Sequence, residues 1–146
     1  MSRVLIVNDD DSVIDRTARM LEDMAWEVYT AASDVDVRDV YSVCEPELVI
    51  VDVDMQAGIG FETMAAIRRQ ARLQFIIAVS RGRHEGILEN VAEVCGASCF
   101  IEGPVSAAKL REAIEEWLLH CERTAEPGEP NNRPSPSIVD LKSPKE

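Results

Sequence analysis

Positive charge is scarce in this sequence. Its 146 residues include 15 Lys and Arg against 27 Asp and Glu, which gives a formal net charge of -12 at pH 7. Proteins that bind the phosphates of nucleic acids or anionic lipids need clustered cations. The composition therefore argues against direct binding to nucleic acid or to a membrane surface, and any effect on DNA would have to be indirect.

Long hydrophobic runs are also absent. Met1 is followed by two polar residues and then by only four apolar residues, so no secretory signal is predicted. No later apolar run approaches the roughly 18 residues of a membrane span. We expect a soluble, cytoplasmic protein.

Metal-binding patterns of cysteine and histidine are missing as well. None of the four cysteines belongs to a C-x-x-C pair, and His84 and His120 are far apart in the sequence. This spacing favours buried free thiols over zinc ligands or disulfides. The cysteines are Cys44, Cys95, Cys99 and Cys121.

Short apolar segments alternate five times with segments of helical periodicity. Such alternation predicts an α/β fold, in which a doubly wound parallel sheet with right-handed crossovers carries helices on both faces. At the end of the third helical segment we expect Arg68, Arg69 and Arg72 to be solvated, because cations suit a helix C-terminus. The predicted strands are residues 4–7, 26–30, 48–51, 75–79 and 98–101.

The composition changes abruptly after the last helical segment. Five prolines lie between residues 127 and 144, among Asn, Ser, Glu and Lys. Proline at this density cannot support a helix or an interior strand. We therefore expect a folded domain over residues 1–121 and a Pro-rich disordered tail or linker over residues 122–146.

The segment over residues 47–61, ELVIVDVDMQAGIGF, is the centre of the predicted fold. Its apolar run is typical of a fully buried parallel strand, and the run ends in Asp52, followed by Asp54. Ligands of open parallel sheets bind outside the carboxyl ends of the strands. Asp52 is thus either a functional carboxylate or a cap of the following helix.

Polar residues also follow the other predicted strands. Asn8 and Asp9 come after the first strand, Ser80 after the fourth, and the Gly103-Pro104 pair after the fifth. Because the carboxyl ends of parallel strands meet at one edge of a sheet, we expect these residues to converge on Asp52. The acids after the first strand are equally explained as partners of a helix N-terminus.

The order and spacing of these segments resemble the receiver domain of two-component response regulators over residues 3–121. VLIVNDDDSV is similar to the first strand and acidic pair of that family, ELVIVDVDMQAGIGFE to its phosphoacceptor segment, FIIAVSR to its fourth strand, and GASCFIEGP to its fifth. The resemblance implies a (βα)5 flavodoxin-like fold whose five-stranded parallel sheet has the order 2-1-3-4-5.

The resemblance also implies the chemistry of the site. Asp52 corresponds to the phosphoacceptor, which forms an acyl phosphate. Asp9 corresponds to a ligand of Mg²⁺, together with Asp52 and the backbone carbonyl of Asp54, and Asn8 would be a further ligand through a water molecule. Oxygen ligands of this kind suit Mg²⁺, which neutralises charge on a phosphoryl group.

Signalling is implied by two further positions. Ser80 corresponds to the residue whose hydroxyl contacts the phosphoryl group, and Phe100 to the aromatic side chain that follows this movement. The face of the fourth helix, fifth strand and fifth helix is then the output surface. The implied partners are a sensor histidine kinase or phosphotransfer protein, a downstream protein target and a second copy of the chain. The protein is not expected to be an enzyme beyond Mg²⁺-dependent phosphorylation and dephosphorylation of Asp52.

Two residues depart from the family pattern. Asn8 replaces the first acid of the pair, and Gly103 replaces the lysine before Pro104, for which the resemblance implies a cis peptide bond. A charged contact to phosphate contributes roughly 1.5–3 kcal/mol, so its loss weakens phosphoryl binding by about one to two orders of magnitude. Arg81 or Arg83 could supply a replacement cation, although we expect both to be exposed to solvent.

Two other hypotheses stay open at this point. The first is a pseudo-receiver that binds proteins without any phosphorylation, which the changes at Asn8 and Gly103 favour. The second starts from residues 52–55, which resemble the D-x-D-x motif of haloacid-dehalogenase-type phosphatases. Those enzymes carry the motif on their first strand, whereas here it follows the third.

Overall fold

A computed structural model describes residues 2–55, 59–82 and 86–124 of the protein. Arg83, His84 and the predicted tail from residue 125 onwards lie outside the described residues. Strands and helices alternate throughout, and the last helix continues past residue 121. The elements are β1 (Arg3–Val7), α1 (Asp11–Asp23), β2 (Glu27–Ala31), α2 (Asp34–Cys44), β3 (Leu48–Asp52), α3 (Ile59–Gln70), β4 (Phe75–Ser80), α4 (Ile87–Cys95), β5 (Cys99–Glu102) and α5 (Ala107–Thr124).

The five strands form one parallel sheet in the order β2-β1-β3-β4-β5, which confirms the predicted fold class. In the central pairings, Val7 lies opposite Val51 and Asp52 lies opposite Val79. The carboxyl ends of β1, β3 and β4 therefore reach the same edge of the sheet. This register brings together the polar residues that follow these strands.

Helices cover both faces of the sheet. Every residue of β3 and β4 is buried, because apolar side chains on alternate faces meet helices on either side. Leu21 of α1 and Leu110 of α5 belong to the core on one face, and residues from α2, α3 and α4 to the core on the other. The tryptophans of the first core, Trp26 and Trp117, are in edge contact, with ring centroids 5.2 Å apart.

Arg68 is the exception to the predicted exposure of the arginines at the end of α3. Its guanidinium donates hydrogen bonds to the carbonyl oxygen of Gly96, which caps α4, and to those of Ala71 and Arg72 after α3. Burial lowers the pKa of Arg68. The prediction of a solvated Arg68 is therefore wrong, because this side chain joins the C-terminal ends of α3 and α4, whereas Arg69 and Arg72 are exposed as expected.

The apolar residues of α4 divide between the core and the surface. Leu88 and Ala92 pack on the sheet. Ile87, Val91 and Val94 are 65%, 39% and 87% exposed. Since these three residues are spaced by four and three, they share one side of the helix. They form an outward apolar stripe, which we call the α4 stripe.

Replacing Arg68 tests its role in joining α3 to α4. We expect Arg68→Met to lower the free energy of unfolding by about 2 to 3 kcal/mol, because the carbonyl groups at two helix ends lose a charged donor. Arg69→Met is the matched control, since the neighbouring side chain is exposed, and it should change stability by less than about 0.5 kcal/mol. Urea denaturation followed by circular dichroism measures both. Equal effects of the two substitutions would contradict the assigned contact.

Gly60, in the first turn of α3, lets that helix approach the end of β3. A Cβ atom at this position would overlap the carbonyl oxygen of Asp52 and lie 3.1 Å from the Cα of Val53. We expect Gly60→Ala to destabilise the protein by roughly 1–3 kcal/mol, because the contacted atoms are backbone and cannot rotate away. The exposed Glu62→Ala on the same helix should stay within about 0.5 kcal/mol of the parent in the same denaturation experiment.

Candidate functional site

Asp52 lies at the centre of the edge where β1, β3 and β4 end. It is the last residue of β3, and its side chain is completely buried. Oδ1 of the carboxylate accepts a hydrogen bond from the backbone amide of Asp54 at 2.7 Å. That contact fixes the orientation of the carboxylate, and it leaves Oδ2 facing the ends of the neighbouring strands.

The guanidinium of Arg81 contacts this second oxygen. Nε and Nη2 of Arg81 lie 2.9 and 2.6 Å from Oδ2 of Asp52. Nη2 is also 3.3 Å from Oδ1 of Asp9, and Nη1 is 3.6 Å from Oδ2 of Asp10. The hydrogen bond that Arg81 donates to Asp52 is the main reason that the pKa of Arg81 is raised. The guanidinium thus lies among three carboxylates.

Arg81 is exposed, as the sequence predicts, and it also supplies a cation to the site. The side chain is still 44% exposed, but its charged end is bound within the site. The sequence could not decide this, because the direction of a long side chain depends on the path of the loop that carries it. The available signal was the position of Arg81, directly after the strand end that faces Asp52.

Asp54 joins the ends of β3 and β4. Its Oδ2 accepts hydrogen bonds from the backbone amide of Arg81 at 2.6 Å and from the hydroxyl of Ser80 at 3.2 Å. Ser80 is buried and also lies 3.4 Å from the carbonyl oxygen of Gly82. The sequence did not predict these contacts of the Asp54 carboxylate with Ser80 and Arg81.

Of the polar residues after β1, one stabilises the turn and another caps α1. Asn8 is buried, and its Oδ1 accepts a hydrogen bond from the backbone amide of Asp10 at 2.9 Å. Asp10 caps α1 by accepting from the amides of Ser12 and Val13. The hydrogen bond from the Ser12 hydroxyl is the main reason that the pKa of Asp10 is lowered. The capping role therefore belongs to Asp10, and Asp9 is left to face Arg81.

Beside Asp52 there is a cavity of about 210 Å³. Its lining includes Asn8, Arg16, Gly103 and Val105. Gly103 has a φ of 82°, a conformation that favours glycine, and its bond to Pro104 is trans, so the expected cis bond is wrong.

Lys109, the first lysine after Gly103, does not take the place of the lysine that the family pattern has at residue 103. Nζ of Lys109 donates to the carbonyl oxygens of Glu102 and Pro104, at 2.7 and 3.5 Å. Lys109 is therefore held on the backbone of the loop before α5, and it does not line the cavity beside Asp52.

Phe100 lies away from the cluster of acids. It is half-buried on β5, opposite Ala78, and packs against the core beneath α2, α3 and α4. A surface depression beside it is lined by Glu89, Glu93 and Glu116. The structure thus brings Asn8, Asp9, Asp52, Asp54 and Ser80 together, and it places Phe100 beside residues of α4 and α5, away from these acids.

The oxygen atoms at this edge fit a hard divalent cation. The carboxylates of Asp9 and Asp52 both approach the same nitrogen, Nη2 of Arg81, and so converge on one point where a positive charge is held. Within the described residues, no three Asp, Glu, His or Cys side chains form a metal-binding group. Mg²⁺ would therefore need a backbone carbonyl and water in addition to the two carboxylates, as it often does in proteins.

The sequence of the chain matches the family model described as "Response regulator receiver domain" over residues 4–115. It is 28% identical over 123 residues to the transcriptional regulatory protein AfsQ1 of Streptomyces coelicolor, covering 84% of this chain and 54% of that protein. It is 23% identical over 130 residues to the alkaline phosphatase synthesis transcriptional regulatory protein PhoP of Bacillus subtilis, covering 89% and 54%. The chain spans about half the length of these two relatives.

Solved structures show the same fold. The CheY-like receiver domain protein of Methanospirillum hungatei superimposes with a TM-score of 0.76 at 26% identity, covering 86% of this chain and 99% of that one. The receiver domain of NtrX from Brucella abortus gives a TM-score of 0.71 at 27% identity, covering 84% and 99%.

No helix in the described part of the chain is long and apolar enough to span a membrane.

The strand order, the acids at the ends of β1 and β3 and the sequence match agree with one another. The chain belongs to the response regulator receiver domain family of two-component signalling.

Proposed function

We propose that this receiver accepts a phosphoryl group on Asp52 from a sensor histidine kinase or a phosphotransfer protein. The observation that carries the proposal is the buried carboxylate of Asp52, whose Oδ2 shares one cationic group with Asp9. A carboxylate oriented in this way can attack the phosphorus of a donor, and the product is an acyl phosphate.

Each residue of the cluster has a role in this reaction. The amide of Asp54 holds Oδ1 of Asp52, so the orientation of the nucleophile is set before the donor arrives. The carboxylates of Asp9 and Asp52 and the backbone carbonyl of Asp54 would hold Mg²⁺, with Asn8 contributing through a water molecule. When bound, Mg²⁺ neutralises charge on the phosphoryl oxygens.

The hydroxyl of Ser80 would link phosphorylation of Asp52 to a change at the end of β4. It donates to Asp54 in the present structure, and after phosphorylation it would donate to a phosphoryl oxygen instead. This exchange would change the end of β4, and Phe100 would follow it. The surface of α4, β5 and α5, with the α4 stripe at its edge, would then bind a downstream protein target or a second copy of the chain.

A phosphorylation-independent pseudo-receiver is the second candidate. The observation that favours it is Arg81, which already neutralises Asp52. Under this alternative the same surface would bind its partner whatever the state of Asp52. The position of the motif argues against the phosphatase hypothesis, because Asp52 is the last residue of the third strand, whereas those enzymes carry the motif on their first strand. Turnover of a small phosphate ester would test it.

The phosphorylation site can be tested by intact-protein mass spectrometry after incubation with Mg²⁺ and acetyl phosphate. We expect one added phosphoryl group on the parent chain and none on Asp52→Asn, since the amide is not a nucleophile. Asp11→Asn is the matched control, because Asp11 is an exposed acid in the first turn of α1, and it should be labelled like the parent. A parent chain that takes up no phosphoryl group would favour the pseudo-receiver.

The α4 stripe can be tested with a single charge. We expect Val94→Glu to weaken self-association of the phosphorylated or beryllofluoride-treated chain by tenfold or more, about 1.4 kcal/mol, because a carboxylate would be buried in an apolar contact. Val43→Glu is the matched control, since Val43 is 77% exposed on α2. Sedimentation velocity measures the self-association of both variants. Equal effects of the two substitutions would show that α4 is not part of the interface.

A further inference from the structure

We propose that Arg81 is a built-in counter-cation of Asp52, and that Mg²⁺ binds only by displacing it. The site would then exchange between an arginine-bound state and a metal-bound state. The inference rests on the proposed function, because the metal concerned is the one that would assist phosphorylation of Asp52.

The first argument is position. Nη2 of Arg81 lies 2.6 Å from Asp52 and 3.3 Å from Asp9, the two carboxylates that would bind the metal. Mg²⁺ requires oxygen ligands at about 2.0–2.1 Å in near-octahedral geometry. The guanidinium and the metal would therefore compete for the same oxygen atoms, and their positive charges would repel each other at that distance.

The second argument is the way in which Arg81 is held. Its backbone amide donates to Oδ2 of Asp54 at 2.6 Å, so the residue is anchored at the end of β4 independently of its side chain. The side chain turns back over the strand ends to reach Asp52. The guanidinium can therefore leave the acids while the backbone of residue 81 keeps its contact.

The third argument is charge. Asp52 is fully buried, and a buried carboxylate without a cation is strongly unfavourable. Among the described residues, Arg81 is the one whose ion pair with Asp52 is observed. Asn8 is uncharged, so the site contains one acid fewer than the family pattern, and a single guanidinium makes contact with three carboxylates at once. The guanidinium therefore supplies the cation that the buried Asp52 needs in the metal-free site.

The test is a calorimetric titration with MgCl₂ alone, without any phosphoryl donor. We expect Arg81→Met to bind Mg²⁺ about tenfold or more tightly than the parent, because the competing cation is gone while an unbranched side chain is kept. Arg81→Lys should fall between the two, because an ammonium group cannot contact several carboxylates in the way that a guanidinium does. Arg19→Met is the control for net charge. Arg19 lies on α1 about one turn after Arg16, and it does not line the cavity beside Asp52. This substitution should change the affinity for Mg²⁺ less than twofold.

Displacement itself can be observed in the parent chain, which avoids dependence on the folding of a variant. The Nε–Hε resonance of Arg81 in ¹⁵N NMR spectra should shift towards that of a free arginine as Mg²⁺ saturates the site. The proposal is overturned if Mg²⁺ saturates the parent while this resonance stays unchanged, or if Arg81→Met binds Mg²⁺ no more tightly than the parent. Tighter binding by Arg81→Met without phosphorylation of any variant would support the exchange and would refute the proposed phosphorylation.

Discussion

The buried charge of Asp52 is the constraint on which the rest of this edge depends. The carboxylate lies at the end of the most buried strand, between β1 and β4, where water does not solvate it. An ionised group in such a place has to be held by donors and by a cation. The amide of Asp54 supplies the donor and Arg81 the cation, and both residues lie in the loops that follow β3 and β4.

Much of the fold follows from local sequence patterns. Apolar segments too short for helices alternate with helical periodicity, and parallel strands with right-handed crossovers leave few arrangements of the sheet. The convergence of Asn8, Asp9, Asp52 and Ser80 follows in turn, because each residue lies at the carboxyl end of a strand or just after it. These features depend on backbone direction alone, which the pattern of the sequence determines.

Individual long side chains were not predictable in the same way. Arg68 and Arg69 are neighbours on one helix, but the first is partly buried by its contacts with carbonyl oxygens such as that of Gly96, and the second is exposed. Arg81 posed the same difficulty, because its contact with Asp52 depends on the loop after β4. Within the acidic run, the sequence could not tell which aspartate caps α1 and which one faces the site, since the two are adjacent.

The attachment of α4 is unequal at its two ends. Its C-terminal end is held by Arg68 through the carbonyl of Gly96, whereas the N-cap residue, Gly86, has no side chain with which to cap the first turn. A rigid rod that is fixed at one end pivots about that end when the other is pushed. A displacement that begins at the end of β4 would therefore be largest at Ile87 and smallest near Val94. The three residues of the α4 stripe would then move by different distances, in the order of their positions along the helix.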